Sequence, residues 1–269
     1  MGLFSRNYDK PGPGVRKDEP RKKGAARFFE LLSRDFWDLV KLNILLCLCV
    51  APTAVVFLFG LFGYYTGIAF ILSLILAFPV GGALTASFYY ITKMMRDDPS
   101  YVWYEFKRKF LENFRQAAPA GMICTAFVYA QVLLWGELIL GEQGGDLIWF
   151  IVALLSLLIF GMITPYIFMH FAYIDLKAFR IIKNSVLLSF GFLPRSFMGA
   201  FLGGMIWIIF ALYLPLSMLA LPLVLLIFVS LSMLLCLMWV WKPFNNQFNI
   251  EETLVDRINE EDNEEKPSD

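Results

Sequence analysis

Apolar residues in this chain come in long blocks separated by shorter polar sections. The blocks run from about Asn43 to Phe62, Gly67 to Ile91, Pro119 to Leu140, Leu147 to Tyr173, Phe197 to Tyr213 and Leu216 to Trp241. A helix of roughly 20 such residues crosses the hydrocarbon core of a bilayer. The pattern therefore predicts an all-α, polytopic membrane protein with six transmembrane helices. GYYTG joins the first two blocks as a tight hairpin, with Tyr64 and Tyr65 at the outer interface, where aromatic rings prefer to sit. In the second block, FPVGGALTAS carries Pro79, Gly81, Gly82 and Ala83. These residues predict a kink and a close approach by a neighbouring helix.

The polar sections carry helical signals of their own. In RFFELLSRDFWDLVKL (27–42), Phe28, Leu31, Leu32, Phe36, Leu39 and Val40 recur at helical spacing between charges. This predicts an amphipathic helix at the cytoplasmic interface or docked under the bundle. In 92–117, Asp97, Asp98 and Pro99 are suited to open a helix. Beyond them Tyr101, Trp103, Phe106, Phe110 and Phe114 interleave with Lys107, Arg108, Lys109 and Arg115, predicting a second interfacial helix. A third basic amphipathic segment spans 174–196. Residues 1–26 read as a disordered basic tail, 27–245 as the membrane domain and 246–269 as an acidic cytoplasmic tail. No secretory signal is expected, because the first apolar block begins too far from Met1.

Composition and charge sharpen this reading. Hydrophobic residues make up 58% of the chain, above the roughly 45–50% of soluble domains. Lysine and arginine number ten in 1–42, six in 92–117, four in 174–196 and three in 242–269, which is all 23 of them. The alternate connections hold only the acidic Glu142 and Asp146, with Glu137 close by. By the positive-inside rule both termini are cytoplasmic.

A weak internal similarity accompanies the layout. FWDLVKLN (36–43), FLENFRQA (110–117) and FLPRSFMG (192–199) each lead into an apolar helix. The first two keep an acidic residue two after the Phe, and the third has Pro194 there. Together they suggest a threefold hairpin repeat, parallel about an axis along the membrane normal.

Few residues carry chemistry. There is one histidine, His170, so HExxH zinc chemistry is excluded, and neither GxSxG nor GxxxxGK[ST] occurs. Glu251, Glu252 and Arg257 match an EExxxR protease pattern only loosely, off by one residue. Cys47, Cys49, Cys124 and Cys236 lie in apolar blocks without metal-ligand spacing and read as free buried thiols. No catalytic residue, metal or cofactor is expected, and the chain does not read as an enzyme. The functional polar candidates are Glu137, near the outer end of the third helix, Gln131, one and a half turns deeper, and His170, toward the cytoplasmic end of the fourth. The bland readings are interface contact for Glu137, helix-to-helix hydrogen bonding for Gln131 and capping for His170. Pro52, Pro79, Pro119, Pro165, Pro215 and Pro222 could expose carbonyls along a solute path, yet prolines are also common in membrane helices. The aromatic and basic residues of 99–116 face the bilayer as their nearest anion, so no nucleic-acid partner is expected.

The segment FFxxLxRDFWDLVKLN, the early Pro52, FPVGGALTASFYY and the six-helix layout resemble the YesL-like family of bacterial integral membrane proteins. The resemblance covers about residues 25–245 and is strongest over Arg27–Asn43 and Pro79–Arg96. It implies a bacterial cell-membrane location and an accessory or regulatory role beside carbohydrate-uptake systems. The family's molecular activity is unassigned, so it brings no active-site residues. The partners implied are the lipid bilayer and carbohydrate transporter subunits; the alternative is a transporter or channel for a small solute.

Overall fold

The structure is a computed structural model, and it describes residues 22–62, 66–98, 100–141, 147–174, 176–212 and 224–254. Every regular element among them is helical. In chain order these are α1 (Ala25–Arg34), α2 (Phe36–Phe62), α3 (Thr66–Leu76), α4 (Phe78–Met95), α5 (Val102–Asn113), α6 (Ala118–Leu140), α7 (Leu147–Tyr173), α8 (Ala178–Gly191) and α9 (Leu193–Leu212). A π-helical turn (Val224–Phe228) then leads into α10 (Val229–Phe248). Four helical units are long and apolar enough to cross a membrane: α2, α6, α7, and the π turn with α10. The bent pairs α3/α4 (50°) and α8/α9 (97°) raise the number to six if each pair is one span.

Helix α4 is the central element, with thirteen of its 18 residues buried. It packs against α2, α5, α6, α7 and α10. The predicted close approach at FPVGGALTAS is present: a Cβ on Gly81 would overlap the carbonyl of Ala117, and one on Gly121 would overlap the backbone of Gly81. α4 and α6 thus touch backbone to backbone. A second such seam, not anticipated, joins α9 to α10, where Gly199 and Gly203 lie against Cys236 and Ser232. Small residues four apart let helices approach this closely.

Several boundaries differ from the sequence reading, each for a local reason. The amphipathic stretch 27–42 is not one helix. It breaks at Asp35, whose carbonyl accepts from the N–H groups of Asp38 and Leu39 (3.1 and 3.0 Å). Aspartate favours helix starts over helix interiors, so the second half of that stretch becomes the first turns of α2. The second apolar block breaks at Ala77, two residues before Pro79, because a proline ring clashes with the carbonyl four residues earlier. Asp97 and Asp98 do not open α5, which starts at Val102. Asp97 instead follows α4 in a left-handed conformation, φ 66, which Asp tolerates better than most residues. The last helix passes Trp241 and ends at Phe248, so a domain boundary at 245 falls inside it. Left-handed Asn249 (φ 48) then turns the chain back, where Glu251 N–H donates to Asn245 Oδ1 (3.0 Å) and Trp241 Nε1–H to Glu251 Oε1 (3.1 Å).

The three similar segments each lie at the junction of a shorter helix with a longer apolar one, but in different registers. The long helix begins at Phe36, Ala118 and Leu193 respectively. The four cysteines are free thiols. The expected tight turn with Tyr64 and Tyr65, the acidic Glu142 and Asp146, Pro99, Asp175, Pro215, Pro222, Arg257 and most of both tails lie outside the described residues.

Burial divides the described residues into two portions. Large apolar side chains are exposed on α2, α3, α6, the first half of α7 and α9, among them Leu48, Phe59, Ile71, Ile123, Leu155 and Phe201. The opposite portion holds the fully buried Tyr166, Phe168, Met169, Leu234, Leu237 and Phe244. There α1, α5 and α8 lie around α4 and the C-terminal halves of α7 and α10. α5 runs antiparallel to α4, with Lys93 beside Glu105, Tyr89 beside Arg108, Gly82 beside Phe110 and Phe78 beside Phe114. Phe110 and Phe114 therefore pack against α4 and Phe106 is buried, while Trp103 and Tyr104 remain exposed.

Candidate functional site

Among the described residues, polar groups interact most densely where α1 and the start of α2 meet the end of α4. The last carbonyls of a helix lack intrahelical donors and carry partial negative charge. Arg27 Nη2–H donates to Met95 O (3.1 Å) and Arg34 Nη2–H to Met94 O (3.3 Å). Both guanidinium groups also donate to the Asp97 carboxylate, at 2.7 Å from Arg27 and 2.5 Å from Arg34. Partial burial would raise the Asp97 carboxyl, but the bonds and charges of the two arginines outweigh it and hold it below the usual carboxylate range. Hydrogen bonding to Asp35, then to Asp97, holds the Arg34 guanidinium more firmly protonated still.

Next to this pair, Tyr90 O–H donates to Asp38 Oδ2 (3.1 Å), and Lys41 pairs with Asp38 (2.9 Å). Arg96 pairs with Asp98 (3.1 Å) and lies over the rings of Tyr173 and Trp241, 5.7 and 5.6 Å from their centroids. On the α5 side, Glu105 is only 5% exposed and takes both Lys93 and Arg108 at 2.6 Å. Arg34, Asp35, Asp38, Tyr90, Met94, Asp97, Asp98 and Ser100 line a half-open cleft of about 420 Å³. Each of its four carboxylates already faces a cation within 3.1 Å. The arrangement clamps α1 and the loop after α4 onto the bundle.

The three candidates from sequence do not converge. Glu137 is exposed on α6, one turn from its end. Gln131 is buried on the same helix and donates from Nε2 to Ser156 Oγ on α7 (2.7 Å), while its Oε1 has no hydrogen-bond partner among the described residues. His170 lies in the packed portion, fully buried. Its Nδ1 is 2.7 Å from the carbonyl of Tyr166, which can only accept, so Nδ1 carries the proton. Ser185 Oγ is 3.1 Å from the same nitrogen, Nε2 has no hydrogen-bond partner among the described residues, and the ring stands nearly perpendicular to those of Phe244 and Phe248 (centroids 5.1 and 5.2 Å).

Set against protein-family models, curated proteins and solved structures, the chain matches none. Its site is therefore read from its own geometry. In that geometry Gln131 and His170 join helices, the first α6 to α7 and the second α7 to α8 and α10.

Sequence reasoning missed two polar locks. Asn43 Oδ1 accepts from the backbone N–H of Ser230 (2.9 Å), and Ser230 Oγ donates to Leu39 O (3.0 Å). The π turn ending at Phe228 shifts the backbone register there, and the asparagine from α2 meets the displaced donor. Asn43 closes the FWDLVKLN segment, a polar residue at the head of an apolar block. The other lock, Glu105, had a visible partner in Arg108, one turn away in the sequence; its pairing with Lys93 required the α4–α5 fold-back.

Proposed function

We propose that the chain crosses a bacterial cell membrane six times with both termini in the cytoplasm, and that it serves as an accessory or regulatory membrane subunit and not as an enzyme. The exposed apolar belt on α2, α3, α6, α7 and α9 suits acyl chains. The confinement of every Lys and Arg to the other connections supports the orientation. On this reading the clamped α1, α4 and α5 portion faces the cytoplasm, available to a partner.

The observation that carries the accessory reading is the filled interior. Phe88 stacks on Phe168 (centroids 5.9 Å, 10°), and Tyr166, Leu234, Leu237 and Phe244 close the space around them. Gln131 with Ser156, Tyr166 with Ser196 and Asn43 with Ser230 each join two helices, while Thr85 and Ser87 bond back to carbonyls of their own helix. A carbohydrate importer is the partner to which the YesL-like resemblance points. Tagged protein cross-linked and purified from native membranes is expected to bring importer subunits with it; repeated recovery of the chain alone would overturn the role.

One observation favours transport as the second reading: Gln131 Oε1 is buried without a hydrogen-bond partner among the described residues, and Pro52 and Pro165 lie inside α2 and α7, where a proline removes one helical donor. That reading requires solute flux in proteoliposomes that falls on Gln131→Leu.

A further inference from the structure

The cations of α8 are less often paired than those of the other two short helices. In α1 and α5, Arg27, Arg34, Arg108 and Lys109 sit in ion pairs with Asp35, Asp97, Glu105 or Glu112, while Lys107 and Arg115 are exposed with no ion pair among the described residues. Around α8, Lys177, Arg180 and Lys183 are exposed and make no ion pair among the described residues. α8 itself contains no acidic residue. Three solvent-facing cations with no ion pair among the described residues, on one short helix and its N-cap, are a surface suited to an external anion.

The shape of the helix says which anion. α8 meets α9 at 97°, so if α9 runs along the membrane normal, α8 lies in the plane of the surface. One side of α8, with Ile181, Ser185 and Leu188, packs onto the bundle, and Ser185 reaches His170. Its outer side exposes Phe179 (79%) and Leu187 (61%), together with Ile182 and Phe190. This apolar surface runs directly into that of α9, where Leu193, Phe197, Phe201 and Met205 are exposed at every fourth residue. α5 lacks this placement: it runs along α4 and not across the bundle. An in-plane helix with apolar and basic side chains, starting where a lipid-facing stripe starts, sits at headgroup depth.

We propose that α8 binds the anionic phospholipids of the leaflet around it, with Lys177, Arg180 and Lys183 on their phosphates and Phe179, Ile182, Leu187 and Phe190 set into the adjoining acyl region. The proposal rests on the membrane-spanning reading above. It places lipid-headgroup recognition on α8 and not on residues 99–116, where Arg108 and Lys109 are already paired and α5 runs along α4.

The test uses the full chain reconstituted in bilayers of mixed phosphatidylcholine and phosphatidylglycerol, with a spin label on one lipid or the other. The electron spin resonance spectrum gives the fraction of each lipid immobilised at the protein. Phosphatidylglycerol is expected to be preferred on the order of five-fold, about one cation's attraction to an anionic leaflet, and less at high salt. Lys177→Gln/Arg180→Gln/Lys183→Gln is expected to bring the preference close to parity. Lys107→Gln/Arg115→Gln, which removes two unpaired exposed cations on the α5 side, is expected to keep it. Equal immobilisation of both lipids by the native chain overturns the α8 proposal while leaving the membrane reading intact, and leaves an acidic protein surface as the occupant. Equal loss in the two variants overturns the assignment to α8. No immobilised lipid of either kind overturns the membrane reading itself.

Discussion

The two halves of α7 have similar side chains and different surroundings. Over residues 147–159, Leu147, Ile148, Val152, Leu155 and Ile159 are exposed; over 162–172, Met162, Tyr166, Phe168, Met169 and Phe171 are buried. Both stretches are apolar, and one unbroken helix carries them. What changes is the neighbourhood, because α4, α8 and α10 surround only the second half. In the packed half, stability comes from close contact between protein side chains. In the open half, acyl chains are as apolar as leucine, so protein contacts there add little beyond shape.

The largest effect expected from this contrast is on phenylalanine truncation. Phe168 is 0% exposed and stacked on Phe88, whereas Phe59 on α2 is 77% exposed. Phe168→Ala is expected to cost about 3–5 kcal/mol of stability, and Phe59→Ala to stay within about 0.5 kcal/mol. Thermal unfolding in a single detergent compares them directly. Equal losses would mean that the two halves are not energetically distinct.

A smaller effect separates two glycines. Gly81→Ala drives a methyl group into the Ala117 carbonyl at the α4–α6 seam, and overpacking of this kind costs about 1–3 kcal/mol. Gly136, on the open part of α6, has nothing within 4 Å of a Cβ position. Gly136→Ala is therefore expected to be neutral or slightly stabilising, since alanine is the better helix former by up to about 1 kcal/mol. Chemical denaturation of both variants resolves the difference. If Gly81→Ala unfolds like the native chain, the backbone contact is not as close as described.

These two regions were not equally legible in the sequence. The open half was plain, because a long apolar block announces itself without reference to any partner. So was the seam at Gly81 and Gly82, since small residues beside a proline have few other uses in a membrane helix. The packed half was hidden, because its order comes from contacts between distant segments. Glu105 drew no notice in the sequence, because its partner Lys93 comes within reach only when α5 folds back along α4. Asn43 read as the edge of an apolar block, and its partner Ser230 lies 187 positions away. Asp97 read as a helix opener because acid before proline usually is one. Two arginines from α1, 70 and 63 positions earlier, draw it to the end of α4 instead. Glu137, Gln131 and His170 were chosen as lone polar groups in apolar helices, and that criterion does not show whether such groups meet.

Asp97 tests whether the packed half is held by its charged rim as well as by its core. Its carboxyl lies below the usual carboxylate range, so the ionised form is bound more tightly in the folded chain than in the unfolded one. The stabilisation is complete above the ordinary aspartate value of about 3.9 and is lost as pH falls from there through the folded value. Asp97→Asn keeps the size of the side chain and, like Asp, tolerates the left-handed backbone at φ 66, so it removes the charge without adding strain. The expected cost near neutral pH is about 1 kcal/mol, because the pair is partly exposed and the Asn oxygen still accepts one hydrogen bond. The native chain should then lose more stability than the variant between neutral pH and the acid limit, and the two should converge once Asp97 is protonated. Melting temperatures measured side by side down to about pH 3 decide the matter. Parallel curves would show that the clamp at the end of α4 rests on the carbonyls of Met94 and Met95 and owes nothing to the Asp97 carboxylate.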